Sequence, residues 1–103
     1  MSDDYLVRPT GELDMANVGT LLKEWLAAID EHLPQRFVID LAAVTFLDST
    51  ALGAIARVHN RQRAHCGRVV IVNASDNIVR TLQFAGIADV IEVNPGKGTS
   101  RAS

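Results

Sequence analysis

Phe37-Val-Ile-Asp-Leu-Ala-Ala-Val-Thr-Phe-Leu-Asp-Ser-Thr-Ala-Leu-Gly53 decides the fold. Its first part, Phe37 to Leu41, is too short for a stable helix and too apolar for a sheet edge. It predicts a central strand covered by helices. A short connection leads to Asp48-Ser49-Thr50, which opens a helix expected from Ser49 to Cys66, with Gly67 as a left-handed cap. A helix N-terminus presents unpaired N–H groups, and Ser49 sets a hydroxyl there. That makes Ser49 the leading candidate for a functional atom.

Upstream, Tyr5-Leu-Val-Arg8 suits a strand, followed by Pro9 and the turn-prone Thr10-Gly11. Asp14 precedes a helical pattern, placed to cap it, and Met15, Val18, Leu22, Trp25 and Ile29 recur at spacings that give one apolar face. The helix stops near Asp30, and Leu33-Pro34 makes the connection. Downstream, Arg68-Val-Val-Ile-Val72 predicts a second buried strand. Ser75 is placed to cap a third helix over Asp76–Ala85, with Ile78, Val79, Leu82 and Ala85 inward and Gly86 at its end. Asp76 and Arg80 have the spacing to pair across one turn of it. Val90-Ile-Glu-Val93 predicts a last strand, so a single domain is expected over 1–93, with 94–103 a disordered tail. Strands alternating with helices imply an α/β layer with parallel crossovers, in which functional atoms gather at strand C-terminal ends and helix N-termini.

Composition narrows the function. The chain has 103 residues, 48% of them hydrophobic and only 5% aromatic, so one core of Leu, Ile, Val and Ala is expected. A formal net charge of −2 argues against a direct nucleic-acid binder, which needs a strongly basic face. No run approaches the roughly 20 apolar residues that cross a bilayer, and no basic-then-apolar leader pattern opens the chain, so membrane insertion is not expected. The single cysteine, Cys66, has no internal disulfide partner, which points to a reducing cytoplasm.

Ser49 has three competing roles. It can be a helix N-cap, worth about 1 kcal/mol. It can be a phosphorylation site, since a helix N-terminus tolerates negative charge. It can be a nucleophile, which requires a base within reach. His59 lies three turns down the same helix, His65 further still and His32 in a loop; the Gly-x-Ser-x-Gly elbow is absent, so the third role has little to support it. Ser49, Gly53, Ala56 and Asn60 share a stripe of small residues beside the core face, while Arg57 and Arg61 face solvent. Arg57, Arg61, Arg63 and Arg68 form a local basic patch able to meet an acidic partner. His59, His65 and Cys66 do not converge as metal ligands, and His59 and Cys66 read as core residues. Gly96-Lys97-Gly98-Thr99 lacks the upstream glycine and following helix of a phosphate loop, so neither cofactor nor metal is expected.

Taken together, these residues resemble the STAS domain, the fold shared by anti-sigma factor antagonists and sulphate-transporter tails. Gly11-Glu-Leu-Asp14 is similar to the family's approach to its first helix, and Asp40-Leu41 with Val44–Gly53 is similar to its Asp-Ser-Ser-Gly-Leu-Gly signature. Arg68–Val72, Asn73, Leu82, Gly86 and Ile87 match its later pattern. The resemblance covers about residues 5–93. It implies a small mixed sheet of about four strands with about three helices packed mainly on one side. In the antagonist branch it implies no enzyme but a switch. Ser49 is then the phosphoacceptor, with Thr50 the lesser candidate. The implied partners are an anti-sigma factor that is also a serine kinase, and a serine phosphatase that resets the cycle. The implied docking face takes in Asp48, Ser49, Thr50, Gly53, Ala56, Arg57 and Asn60. Binding of the unmodified form releases a sigma factor and so regulates transcription. The family also includes non-switching subunits of lipid transporters and stress-signalling assemblies, the alternative role. Two departures stand out: the first strand of the family's N-terminal hairpin is short or missing, and Ala51 replaces the usual glycine.

Overall fold

The run at 37–41 does become the centre of a sheet. The computed structural model describes residues 4–96. Its elements follow as β1 (Asp4–Val7), β2 (Gly11–Leu13), α1 (Val18–His32), β3 (Arg36–Asp40), β4 (Val44–Leu47), α2 (Ser49–Ala64), β5 (Arg68–Ala74), α3 (Asp76–Phe84), a 3-10 turn at Ile87–Asp89 and β6 (Glu92–Pro95). Four strands pair in the order β1-β3-β5-β6, and β2 pairs with β4 in a separate ladder. Every one of these pairings is parallel. The expected α/β fold, with a four-stranded sheet and three helices, is therefore what the chain forms; the sheet, implied as mixed, is parallel in every described pairing, and a two-stranded ladder stands beside it.

Burial alternates along the central strand: Phe37 and Ile39 are fully buried, Val38 and Asp40 half-buried. A period of two on a flat strand means one face carries most of the packing. Val18, Trp25 and Ile29 of α1, Ala51, Ile55 and Val58 of α2, and Ile78 and Leu82 of α3 join that core. Trp25 meets Phe37 edge-on, with ring centroids 6.0 Å apart.

Several boundaries differ from expectation, each for a physical reason. Helix α1 starts at Val18, so Met15 lies outside it and is exposed rather than part of its apolar face. Asp14 is not its N-cap; the cap position is Asn17, while the Asp14 side chain closes a local turn by accepting from Ala16 N at 3.0 Å. Strands β2 and β4 occupy segments expected as turn and connection. Gly11 there has φ +78°, a conformation glycine adopts freely, at an irregular step where the ladder shifts register. Arg80 bonds Asn77 at 3.1 Å rather than pairing with Asp76, and Ala85 faces solvent. The last strand sits two residues later than expected, so Asn94 and Pro95 belong to β6, and Gly96 N donates to Ala74 O at 3.0 Å. The remainder of the expected tail, 97–103, lies outside the described residues.

The end of α2 also departs from expectation. The left-handed residue is Cys66 (φ +69°), which is exposed and not a buried hydrophobe. Cys66 N donates to Arg63 O and Gly67 N to Gln62 O, the paired bonds of a Schellman turn. Gly67 is needed for closeness: a Cβ there would stand 2.7 Å from Gln62 Nε2 and 2.8 Å from Pro34 O. Gln62 is wholly buried and holds this corner, donating to Pro34 O at 3.1 Å and Arg68 O at 2.9 Å, with its carbonyl 2.6 Å from His65 Nε2. It thereby ties the helix end to the starts of β3 and β5. Removing a buried, fully bonded amide strands its partners. Gln62→Ala should lower stability by about 2–4 kcal/mol, and Gly67→Ala should also destabilise. Urea unfolding checks both; a loss under about 0.5 kcal/mol for Gln62→Ala would contradict the corner's role.

Candidate functional site

The strand-to-helix step at Leu47–Ser49 is organised by one carboxylate. Asp48 stands at the N-cap of α2 in extended backbone, and its Oδ1 accepts from Ala51 N at 2.9 Å. Its Oδ2 accepts from Met15 N at 3.1 Å, and its own N–H donates to Leu13 O at 3.1 Å. The loop between β2 and α1 is thus fastened to the start of α2 by both oxygens of one side chain. Ser49 is the first residue inside the helix. Because Asp48 takes the cap, the N-cap role weighed for Ser49 is overturned. The Ser49 side chain is exposed, and its hydroxyl bonds no described residue. The N–H groups of Ser49 and Thr50 likewise have no acceptor among the described residues.

Thr50, Gly53, Ala56, Arg57 and Asn60 are exposed along with Ser49, and Asp48 is half-buried at their head. A Cβ built on Gly53 would meet nothing within 4 Å. The opposite side of α2, with Ala51, Ala54, Ile55 and Val58, is buried. The small-residue stripe expected from helical spacing is therefore a continuous open surface. Arg57 flanks it, whereas Arg61 is drawn away into an ion pair with Asp30 at 2.7 Å. The four-arginine patch does not act as one unit.

No described residue bonds the Ser49 hydroxyl to activate it. His59 lies ten residues on, about 15 Å along the helix axis. Its Nδ1 is buried without a hydrogen-bond partner, and burial, with Arg63 nearby, holds the imidazole's pKa below its usual value. No cluster of three or more His, Cys, Asp or Glu converges among the described residues. No described helix is long and apolar enough to cross a membrane.

Two features of this face escape periodicity. Met15, whose N–H is held by Asp48, is 79% exposed beside the helix start. Leu52, Arg80, Thr81, Phe84 and Ala85 line a shallow groove of about 460 Å³ between α2 and α3, with Phe84 97% exposed. At the C-terminal ends of the sheet strands, Asp40 accepts from Ala42 N at 2.9 Å and lies 3.4 Å from Arg8. Chiefly the Ala42 N–H, aided by Asn73 and Arg8 and opposed by partial burial, holds its carboxyl below the usual aspartate value.

The family model for the STAS domain matches residues 2–99. An anti-sigma-B factor antagonist of Staphylococcus epidermidis is 30% identical over 94 residues, spanning 91% of this chain and 86% of that protein. Among solved structures, an anti-sigma factor antagonist from Mycobacterium paratuberculosis superposes with a TM-score of 0.80 at 25% identity, covering 92% of this chain and 80% of that one. SpoIIAA, an anti-sigma factor antagonist solved in its unphosphorylated form, shares the fold with a TM-score of 0.79 at 22% identity, over 90% of this chain and 81% of its own.

Two outcomes follow from the bonding around Asp48. Asp48→Ala should cost about 1–2 kcal/mol by losing the cap, whereas Ser49→Ala should change stability by less than about 0.5 kcal/mol. Paired denaturation curves test this; equal losses would mean that the serine is the cap after all. Acid sensitivity follows from Asp40. Its lowered pKa contributes stability that is present above the unfolded value and is lost as pH falls through the folded value. Asp40→Asn should therefore lose less stability than the unsubstituted chain as pH drops below about 4, measured as the urea midpoint at each pH.

Proposed function

We propose that this chain, which belongs to the STAS domain family, is an anti-sigma factor antagonist whose docking face is switched by phosphorylation of Ser49. The observation that carries this reading is a hydroxyl at the first turn of α2 that is exposed, unbonded and relieved of capping by Asp48. The protein is a binding partner, not an enzyme. The phosphoryl group comes from the partner, an anti-sigma factor with serine kinase activity, and a serine phosphatase removes it. Asp48, Ser49, Thr50, Gly53, Ala56, Arg57 and Asn60 form the face that meets that partner. Unmodified, the chain occupies the anti-sigma factor and releases a sigma factor.

Three physical arguments support the switch. The small side chains at 49, 53 and 56 let another backbone approach α2 closely. The free N–H groups of Ser49 and Thr50 stand where a phosphate can accept from them, so the modified form is tolerated by the fold. The partner feels the change instead. Nearly two added negative charges facing one partner carboxylate at about 4 Å repel it by roughly 2 kcal/mol even in water. That lowers affinity by about thirtyfold.

The test uses the purified serine-kinase anti-sigma factors of the source organism. Ser49→Ala should bind one of them within about threefold of the unsubstituted chain, while stoichiometrically phosphorylated protein should bind at least about tenfold more weakly. Equal affinity of modified and unmodified chains would refute the switch and favour a constitutive subunit.

A further inference from the structure

The open stripe on α2 does not end at small residues. At about 100° per residue, Leu52 lies about 60° from Ser49 to one side of the helix and Arg57 about 80° to the other. On the Leu52 side the surface continues into the groove lined by Leu52, Thr81, Phe84 and Ala85, with Arg80 among its walls. Phe84 is 97% exposed at the end of α3 and lines that groove. Of the arginines on α2, Arg61 is paired with Asp30, while Arg57 is exposed beside the stripe; Asp48 at the head of the helix has both oxygens taken by Ala51 N and Met15 N. Among the described residues, Arg80 bonds through Nη2 to the neutral Asn77 and pairs with no carboxylate.

We propose that this groove is the anchoring pocket of the docking face. Its occupant is a partner segment with one large aliphatic or aromatic side chain flanked by carboxylates. The apolar side chain packs between Leu52 and Phe84, and the carboxylates meet Arg80 and, across the stripe, Arg57. The inference rests on the antagonist reading and adds what the partner must present. A phosphate on Ser49 then acts on a segment that is already acidic, which is why one added group suffices to expel it.

The experiment measures binding of the unsubstituted chain, Phe84→Ala, Arg80→Glu and Ser49→Asp to the same purified serine-kinase anti-sigma factors. Phe84 and Arg80 are exposed, so thermal melting should show both variants folded. Phe84→Ala and Arg80→Glu should each weaken binding by about tenfold. A photo-crosslinker at position 84 should capture a partner peptide that contains a large apolar residue and net negative charge. If Ser49→Asp abolishes binding while Phe84→Ala and Arg80→Glu stay within twofold, the pocket is refuted and the switch stands. A crosslinked peptide of net positive charge, or a self-dimer of this chain dissociated by Phe84→Ala, also overturns it. If no kinase binds the unsubstituted chain, the antagonist reading fails and the pocket with it.

Discussion

The two-ended grip of Asp48 sets everything around it. One oxygen caps α2 and the other fastens the loop before α1. Those segments follow the two strands of the β2–β4 ladder and lead into two different helices, so this carboxylate reaches a residue 33 positions away. A charged acceptor on backbone N–H groups makes a stronger bond than a neutral one. Asp48 therefore fixes where α2 begins, and that in turn fixes which hydroxyl is left without work. Had the helix begun one residue later, Ser49 would have been the cap and its oxygen would have been occupied.

Most of the frame was legible in the sequence because it rests on local periodicity. The apolar runs at 37–41 and 68–72 and the Ser75-capped pattern through Leu82 became β3, β5 and α3. What escaped depends on partners distant in the chain. Strands β2 and β4 have three and four residues, too few to show alternation, and exist only because they pair with each other. Met15 fits the helical spacing of Val18 and Trp25, yet tertiary bonding from Asp48 and the turn at Asp14 hold it outside the helix. Gly67 invites the left-handed assignment, but the crowding by Gln62 and Pro34 that makes glycine necessary there is invisible from composition.

The candidate site divides in the same way. Helical spacing alone placed Ser49, Gly53, Ala56 and Asn60 on one stripe, and the exposure of all four agrees. The order of Asp48 and Ser49 at the cap was not legible, since either side chain satisfies the local pattern. The groove was not legible either. Leu52 and Phe84 lie on different helices, and although helical spacing sets Phe84 about 200° around α3 from Leu82, nothing local shows that it meets Leu52 across a groove.

A reversible mark works best on a group that carries no load in the fold. If the modified oxygen were also the cap, phosphorylation would remove a bond worth about 1 kcal/mol and loosen the helix that must be recognised. In the proposed switch, an acceptor one residue inside the cap would separate the two tasks. The carboxylate would hold the helix start in both states of the proposed switch, with the N–H groups of Ser49 and Thr50 facing the added charge. A negative Asp48 would repel a phosphate on Ser49, since like charges repel. Its oxygens, however, already accept from Ala51 N and Met15 N, and those N–H dipoles offset part of its charge. A phosphate on the exposed Ser49 would then act chiefly on whatever occupies the face of α2.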